Sequence, residues 1–355
     1  MNRIRIDGSL GEGGGQVLRT SVALSALSGK TIEVFNIRAK RPNPGLRAQH
    51  MTGIKAVAEI AGAKVTGLSV GSTTIVFEPA GLKGGKYRFD VGTAGSVTLV
   101  LQSIMPAALF APENMELEIR GGTDVAWSPP VDYFINVVVP NLRLMGYVAE
   151  IKLERRGHYP KGGGLVRAVI TPVKKLKAIR LMERGEVKLI EGVSHAVNLP
   201  AHVAERQARS AEAVLKRAGY DVDIKIDVPR EGAHLGPGSG IVLWAKTKVG
   251  SVIGADSLGE KGKPAEKVGE EAAQKILEEL ESGAPLDRHM GDMIIPFIAI
   301  ADGTSEVRIS KITMHLLTNI MVTEKILGVK FQVEGREGEV GVVKVNGLGL
   351  ENPHI

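Results

Sequence analysis

Cysteine is missing from this chain, aromatic residues are scarce, and no apolar run is long. Without Cys there is no disulfide, no thiolate nucleophile and no Cys-ligated zinc or iron–sulfur centre. Phe, Trp and Tyr make up 4% of the 355 residues, which argues against the exposed aromatic platforms used by single-strand binders that read sequence. The most apolar stretches, 98–111 and 293–301, are broken by Gln102, Ser103 and Pro106 or fall short of the ~20 residues that span a bilayer, so no membrane segment is expected. The opening Met-Asn-Arg-Ile-Arg-Ile-Asp alternates apolar and polar and has no signal core, so a cytoplasmic location is expected. Absent Cys and only six Gln point toward a thermophilic source.

Several enzyme templates are absent as well. Gly29-Lys30-Thr31 has Leu24 where a P-loop needs its first Gly, and it follows a helix instead of opening one. Gly11-Glu12-Gly13 meets Gln16 where a dinucleotide fingerprint needs Gly. No His-Glu-x-x-His, EF-hand loop or nucleophile elbow is found.

What is present is a globular composition, 43% hydrophobic and 24% charged, long enough for two or three compact units. A net charge of +6 is compatible with a polyanionic partner and equally with a plain solubility bias. The chain also repeats itself. Four helical stretches end at Gly62, Gly146, Gly219 and Gly328, each followed by a strand and then a second strand beginning near Thr74, Leu165, Ile241 and Val340. Gly13–Gly15 and Gly92–Gly95 each open a further helix. The expected fold is α+β, tandem repeated units of helices packed on mostly antiparallel sheets. Charge-rich linkers at 182–186 and 257–264 mark a small inserted α/β domain at 183–277, with 1–182 and 278–355 forming the large catalytic domain.

Three Gly-rich or basic segments carry chemistry. Asp7 to Arg19 sets Glu12 among five glycines at the mouth of a helix, a pattern that suits an anion, with Glu12 free for a divalent cation, and that also suits a flexible turn. Arg38 to His50 holds basic groups around Pro42 and Pro44, and guanidinium groups match phosphate oxygens. Arg155 to Gly164 is either a backbone clamp for nucleic acid or a wide hairpin connection. Among eight histidines, His315 opens an apolar helix with Asn319 four residues on, on the same face. His289 lies between Asp287 and Asp292, and spacing alone leaves it as ligand, proton carrier or surface residue.

Five segments together, Gly11 to Arg19, Arg41 to His50, Gly92 to Ser96, Gly157 to Gly164 and His315-Leu-Leu-Thr-Asn319, resemble the RNA 3'-terminal phosphate cyclases over essentially the whole chain. The resemblance implies a large domain of repeated units with a small inserted domain. It also implies an ATP-dependent reaction on RNA carrying a 3'-phosphate. A histidine is adenylylated, AMP passes to the RNA 3'-phosphate, and the 2'-hydroxyl displaces AMP to leave a 2',3'-cyclic phosphate. By motif position the nucleophile is His315 and the ligand of a divalent metal, Mg or Mn, is Glu12. The nucleotide is held by Arg19, Arg38, Arg41, Gln49 and Gln102, with Pro129 and Tyr133 as adenine contacts, and by His289, Met290, Gly291, Asp292 and Met293. Asp292 has a second role open to it, orienting the imidazole of His315. Met293 stands where many members carry Gln, which puts a side-chain hydrogen bond to adenine there in question. Two alternatives share features of this pattern: a ribosomal RNA processing branch that lacks the nucleophilic histidine, and the enolpyruvyl transferases. RNA is expected to be held by its terminal phosphate and backbone with little base preference; oligomers are possible.

Overall fold

Runs of alternating burial set the strands, and apolar residues at helical spacing set the helices that cover them. The computed structural model describes residues 3–187, 189–229 and 234–355. The first unit comprises β1 (Ile4–Asp7), α1 (Gly15–Ser28), β2 (Ile32–Phe35), α2 (Ala48–Ile60), β3 (Lys64–Thr66) and β4 (Ile75–Glu78), with sheet order β1-β2-β4-β3. The second comprises β5 (Gly85–Asp90), α3 (Val97–Ala108), β6 (Met115–Gly121), α4 (Val131–Tyr133), a π-helical turn (Phe134–Val138), α5 (Val139–Arg143), β7 (Val148–Arg155) and β8 (Gly164–Thr171). Its order, β5-β6-β8-β7, is the same.

After β9 (Arg180–Leu181) the chain leaves this pattern for β10 (Leu189–Val197), α6 (His202–Arg217), β11 (Asp221–Asp227), β12 (Gly238–Lys246), β13 (Val252–Leu258) and α7 (Ala265–Glu281). It returns through α8 (Arg288–Ile300), β14 (Thr304–Ile309), α9 (Met314–Leu327), β15 (Phe331–Glu334) and β16 (Gly341–Asn346). These pair with β9 in the order β9-β14-β16-β15, a third copy of the arrangement. In each copy the first two strands run parallel, joined through one helix in the first two copies and through the insertion and α8 in the third, and the strands that follow add antiparallel pairs. The sheets are thus mostly antiparallel, and the expected α+β class holds.

Gly62, Gly146, Gly219 and Gly328 all take positive φ, between 54° and 89°, as helix ends of this kind require. One expectation is corrected in the insertion. The strand after Gly219 and the strand at Ile241 are not hairpin partners, because β11 and β12 both pair with β10, parallel and antiparallel respectively. Burial gives the reason: β10 is buried along most of its length, as a central strand must be, whereas β11 is largely exposed and lies at the edge.

One apolar core runs through the three repeated units, and a second is confined to residues between Val187 and Leu280. Leu280 belongs to that second core, so a boundary at 277 falls inside α7. The two cores meet where Val242, Trp244 and Val252 of the inserted sheet join the first. There Gly254 lets β13 approach the π-helical turn; a Cβ at that position would stand 2.6 Å from Val137 and 2.8 Å from Tyr133. Among the described residues no helix is long and apolar enough to cross a membrane.

Candidate active site

The amino-terminal ends of α1 and α9 come together across the boundary between the first and third units. The loop before α1 crosses α9 at Gly11, where φ is +54° and a Cβ would stand 2.0 Å from Thr318 Oγ1. Only glycine serves there without displacement. The crossing brings Glu12 to His315, with Oε1 3.1 Å from the imidazole Nδ1. His315 is the second residue of α9, behind the N-cap Thr313, whose hydroxyl accepts from the Leu316 amide. Gln16 of α1 donates to the His315 carbonyl at 2.7 Å and so fastens the two helices beside the imidazole. Both side chains of the Glu12–His315 pair remain well exposed.

Around this pair the charge is strongly cationic. Arg41 Nη2 stands 3.6 Å from Glu12 Oε2. Arg19, half-buried on α1, hydrogen-bonds Gln102 Oε1 at 3.2 Å, and among the described residues it has no ion-pair partner. Burial pushes Arg19 down to about 10, still a cation at neutral pH. Burial also lowers Arg38, and Arg47 and Arg41 add to the effect by repulsion. His50 sits among these groups. Burial first, then Arg19, Arg38 and Arg47, push it down to about 4, so its ring is neutral. Its Nδ1 accepts from the Arg47 amide at 3.2 Å, while Nε2 lies against Gly15, where a Cβ would come within 2.5 Å. Cations kept together with one carboxylate among them form a surface awaiting an anion.

Beneath this surface lies a buried polar ladder. Thr20 Oγ1 of α1 donates to Asn319 Oδ1 at 2.7 Å, Asn319 Nδ2 donates to the Asp292 carbonyl at 2.7 Å, and Thr313 Oγ1 donates to Asp292 Oδ1 at 2.5 Å. It ties α1, α8 and α9 together under His315. Burial pushes Asp292 up to about 8; Asp287 and Glu12 add to the rise and the Thr313 hydroxyl opposes it. The group touching the imidazole is therefore Glu12, and the Asp292 side chain engages the residue that caps α9.

The remaining expected residues divide. Arg19, Gln102, Met293 and Asn319 line one narrow, mainly apolar cleft between the helices. Gln49 is exposed and borders Gly95, whose Cβ would lie 3.2 Å from its own. Gly162, in the turn after β7, would with a Cβ come within 2.6 Å of the Thr93 carbonyl, so the Gly-rich segments at 11–15, 92–95 and 157–164 form one continuous border with Gln49 and His50 between them. Pro129 is partly exposed above the first turn of α3, its carbonyl accepting from Thr98.

Three of the expected residues are packed inward in this structure. Tyr133 is 1% exposed and donates its hydroxyl to Asp287 Oδ1 at 2.6 Å, so it belongs to the core. Met290 is fully buried, and Gly291 lies against Ile309 of β14. The reason is helical geometry: 289–293 is the start of α8, and the side chains of five consecutive helical residues point in different directions. The exposed member is His289, its ring edge-on to Tyr133 at 6.4 Å between centroids. Sequence reasoning also missed exposed aromatics. Trp127 is 99% exposed with φ at +66°, and Tyr159 is 77% exposed. Their loops are joined by a bridge between Asp124 and His158, so two exposed aromatic side chains stand on adjoining loops despite the low aromatic count.

A family model described as RNA 3'-terminal phosphate cyclase matches residues 10–333. A protein named RNA 3'-terminal phosphate cyclase from Methanopyrus kandleri is 54% identical over 98% of this chain and 100% of its own. Proteins of the same name from Ignicoccus hospitalis and Pyrococcus furiosus are 55% and 53% identical, covering 97% and 96% of this chain and 99% and 98% of their own.

Proposed function

Because the chain belongs to the RNA 3'-terminal phosphate cyclase family, we propose that it uses ATP to convert an RNA 3'-phosphate into a 2',3'-cyclic phosphodiester through a covalent adenylate on His315. The observation that carries this reading is the contact of Glu12 with His315 Nδ1 beside a surplus of guanidinium groups. A carboxylate accepting the Nδ1 proton fixes the tautomer whose lone pair lies on Nε2. Nε2 attacks the α-phosphorus of ATP; an N–P bond forms and pyrophosphate leaves. The RNA 3'-phosphate oxygen then attacks the same phosphorus and frees His315. Last, the 2'-hydroxyl attacks the RNA phosphorus, loses its proton, and AMP departs.

Arg19, Arg38 and Arg41 stabilise the triphosphate and the leaving pyrophosphate. Gln49, Gln102, Pro129, His289, Asp292 and Met293 remain as nucleotide-side residues of this reading. A hard divalent cation, Mg or Mn, supplies further charge neutralisation on the triphosphate. Glu12, an exposed carboxylate on this surface, would hold it.

The test is a radiolabelled RNA with a 3'-phosphate incubated with ATP and Mg2+ or Mn2+. Its terminal phosphate is expected to become resistant to phosphatase, with release of AMP and pyrophosphate, in the native protein and not in His315→Ala. Terminal phosphate that stays fully phosphatase-sensitive with both metals would reject the proposal.

A further inference from the structure

The joint between the inserted sheet and the large domain holds a second group of ligand-type side chains, separate from the site above. His158, in the turn after β7, and His195, on β10, are 5% and 1% exposed, and their Nε2 atoms stand 3.0 Å apart. Asp124, in the loop after β6, is 2% exposed and brings Oδ1 to 3.9 Å from His195 Nε2. The three ligand atoms lie within 4.8 Å of one another.

Three features make this more than a satisfied buried pair. A hydrogen bond between the imidazoles pairs Nε2 with Nε2, and among the described residues the Nδ1 of both is buried without a partner. The room is shaped for them, since a Cβ at Gly238 would come within 2.1 Å of the His158 ring. Among the described residues the charge is also unbalanced. Asp124, Asp132 and Asp227 all face the guanidinium of Arg156, at 3.3, 2.7 and 2.9 Å. Thr123 donates to Asp124 Oδ2 at 2.6 Å and Arg156 Nη1 to both oxygens at 3.3 Å, which fixes the carboxylate with Oδ1 on the side of the imidazoles, as supporting groups do for metal-bound carboxylates.

We propose that Asp124, His158 and His195 bind a first-row divalent transition-metal ion, zinc by its ligand chemistry, which fastens the inserted domain to the large domain. Two imidazole nitrogens on a tetrahedral zinc, with bonds of about 2.0–2.1 Å, stand roughly 3.3 Å apart, close to the 3.0 Å between the two Nε2 atoms. Nitrogen donors favour zinc over magnesium, which takes oxygen, so this site and a nucleotide-bound cation differ in chemistry. Water completes the shell. The ion offsets the carboxylate excess and joins β10 of the insertion to two loops of the second unit, one of which continues to Trp127 and Pro129. The proposal does not depend on the cyclase reading.

The experiment uses the full chain, stripped with chelator, loaded with Zn2+ or Co2+ in excess Mg2+ and desalted. One tightly held equivalent of zinc by elemental analysis, intense four-coordinate visible bands with Co2+, and a higher unfolding temperature with Zn2+ than after stripping are expected. His158→Gln and His195→Gln should each lose that equivalent and those bands, while His315→Ala keeps both. Native protein that retains no zinc, Co2+ bands of six-coordinate intensity, or retention in a folded His158→Gln, His195→Gln double variant would overturn the site. The native-protein results decide the matter even where a variant does not fold.

Discussion

At the scale of residues, the site is governed by cations placed together before any ligand arrives. Arg19 stands on α1 and Arg41 on the loop before α2, so each is expected to contribute its own phosphate contact. Arg19→Ala and Arg41→Ala should each weaken adenylate formation by about 1.5–3 kcal/mol, roughly ten- to 150-fold, while RNA end binding changes less; the check is single-turnover formation of labelled enzyme. Two titrations carry opposite signs. His50 is pushed down to about 4, against roughly 6.5 when unfolded, so the unfolded chain takes the proton first and stability is lost as pH falls from 6.5 toward 4. Pyrophosphate, by offsetting Arg19, Arg38 and Arg47, should raise the His50 titration, readable by NMR of its ring. Asp292 is pushed up to about 8, against roughly 3.9 when unfolded, so the folded state holds a proton the unfolded state has released, and stability declines as pH rises from 4 to 8. Asp292→Asn should remove that decline; denaturation midpoints measured across this range that keep the native slope would contradict it.

At the scale of elements, the crossing of the α1 loop over α9 positions Glu12 against His315. Gly11 permits it on two counts, positive φ and the 2.0 Å approach to Thr318 Oγ1. Gly11→Ala should therefore abolish most adenylate formation, and adding Thr318→Ala should recover only part of it, since the steric conflict is relieved and the backbone strain is not. Full recovery in the double variant would show that φ at Gly11 has no role. The ladder beneath should respond differently. Asn319→Ala leaves the Thr20 hydroxyl and the Asp292 carbonyl short of a partner and should cost about 1–3 kcal/mol in denaturant unfolding. The glycine-ended helices and their following strands were legible because αL caps and alternating burial are local signals. The contact of Glu12 with His315 was not, since it joins residues about 300 positions apart through a loop crossing that periodicity does not encode. The inward packing of Met290 and Gly291 was not legible for a different reason: a contiguous motif reads as one surface, and a helix turns half of it toward the core.

At the scale of the molecule, three copies of one strand order bring loops and helix ends from different units to a common border. Composition had suggested an RNA surface without aromatic stacking, but a count of aromatics does not say which are exposed, and Trp127 and Tyr159 stand outward on adjoining loops. Trp127→Ala should weaken binding of RNA ends by about 1–3 kcal/mol if a base stacks on it, with adenylate formation unchanged. Binding of short oligonucleotides should also weaken with salt, at a log–log slope of about −0.7 per phosphate neutralised. The central strand of the inserted sheet and the buried histidines that meet it depend on pairings far apart in sequence. The central claim, that these converging elements make His315 a nucleophile, is tested most directly by incubating the protein with ATP labelled at the α-phosphate and a divalent cation, then mapping the label. An acid-labile, alkali-stable AMP on the peptide containing His315, absent from His315→Ala, is the predicted result; label that persists in that variant, or maps elsewhere, would contradict the account.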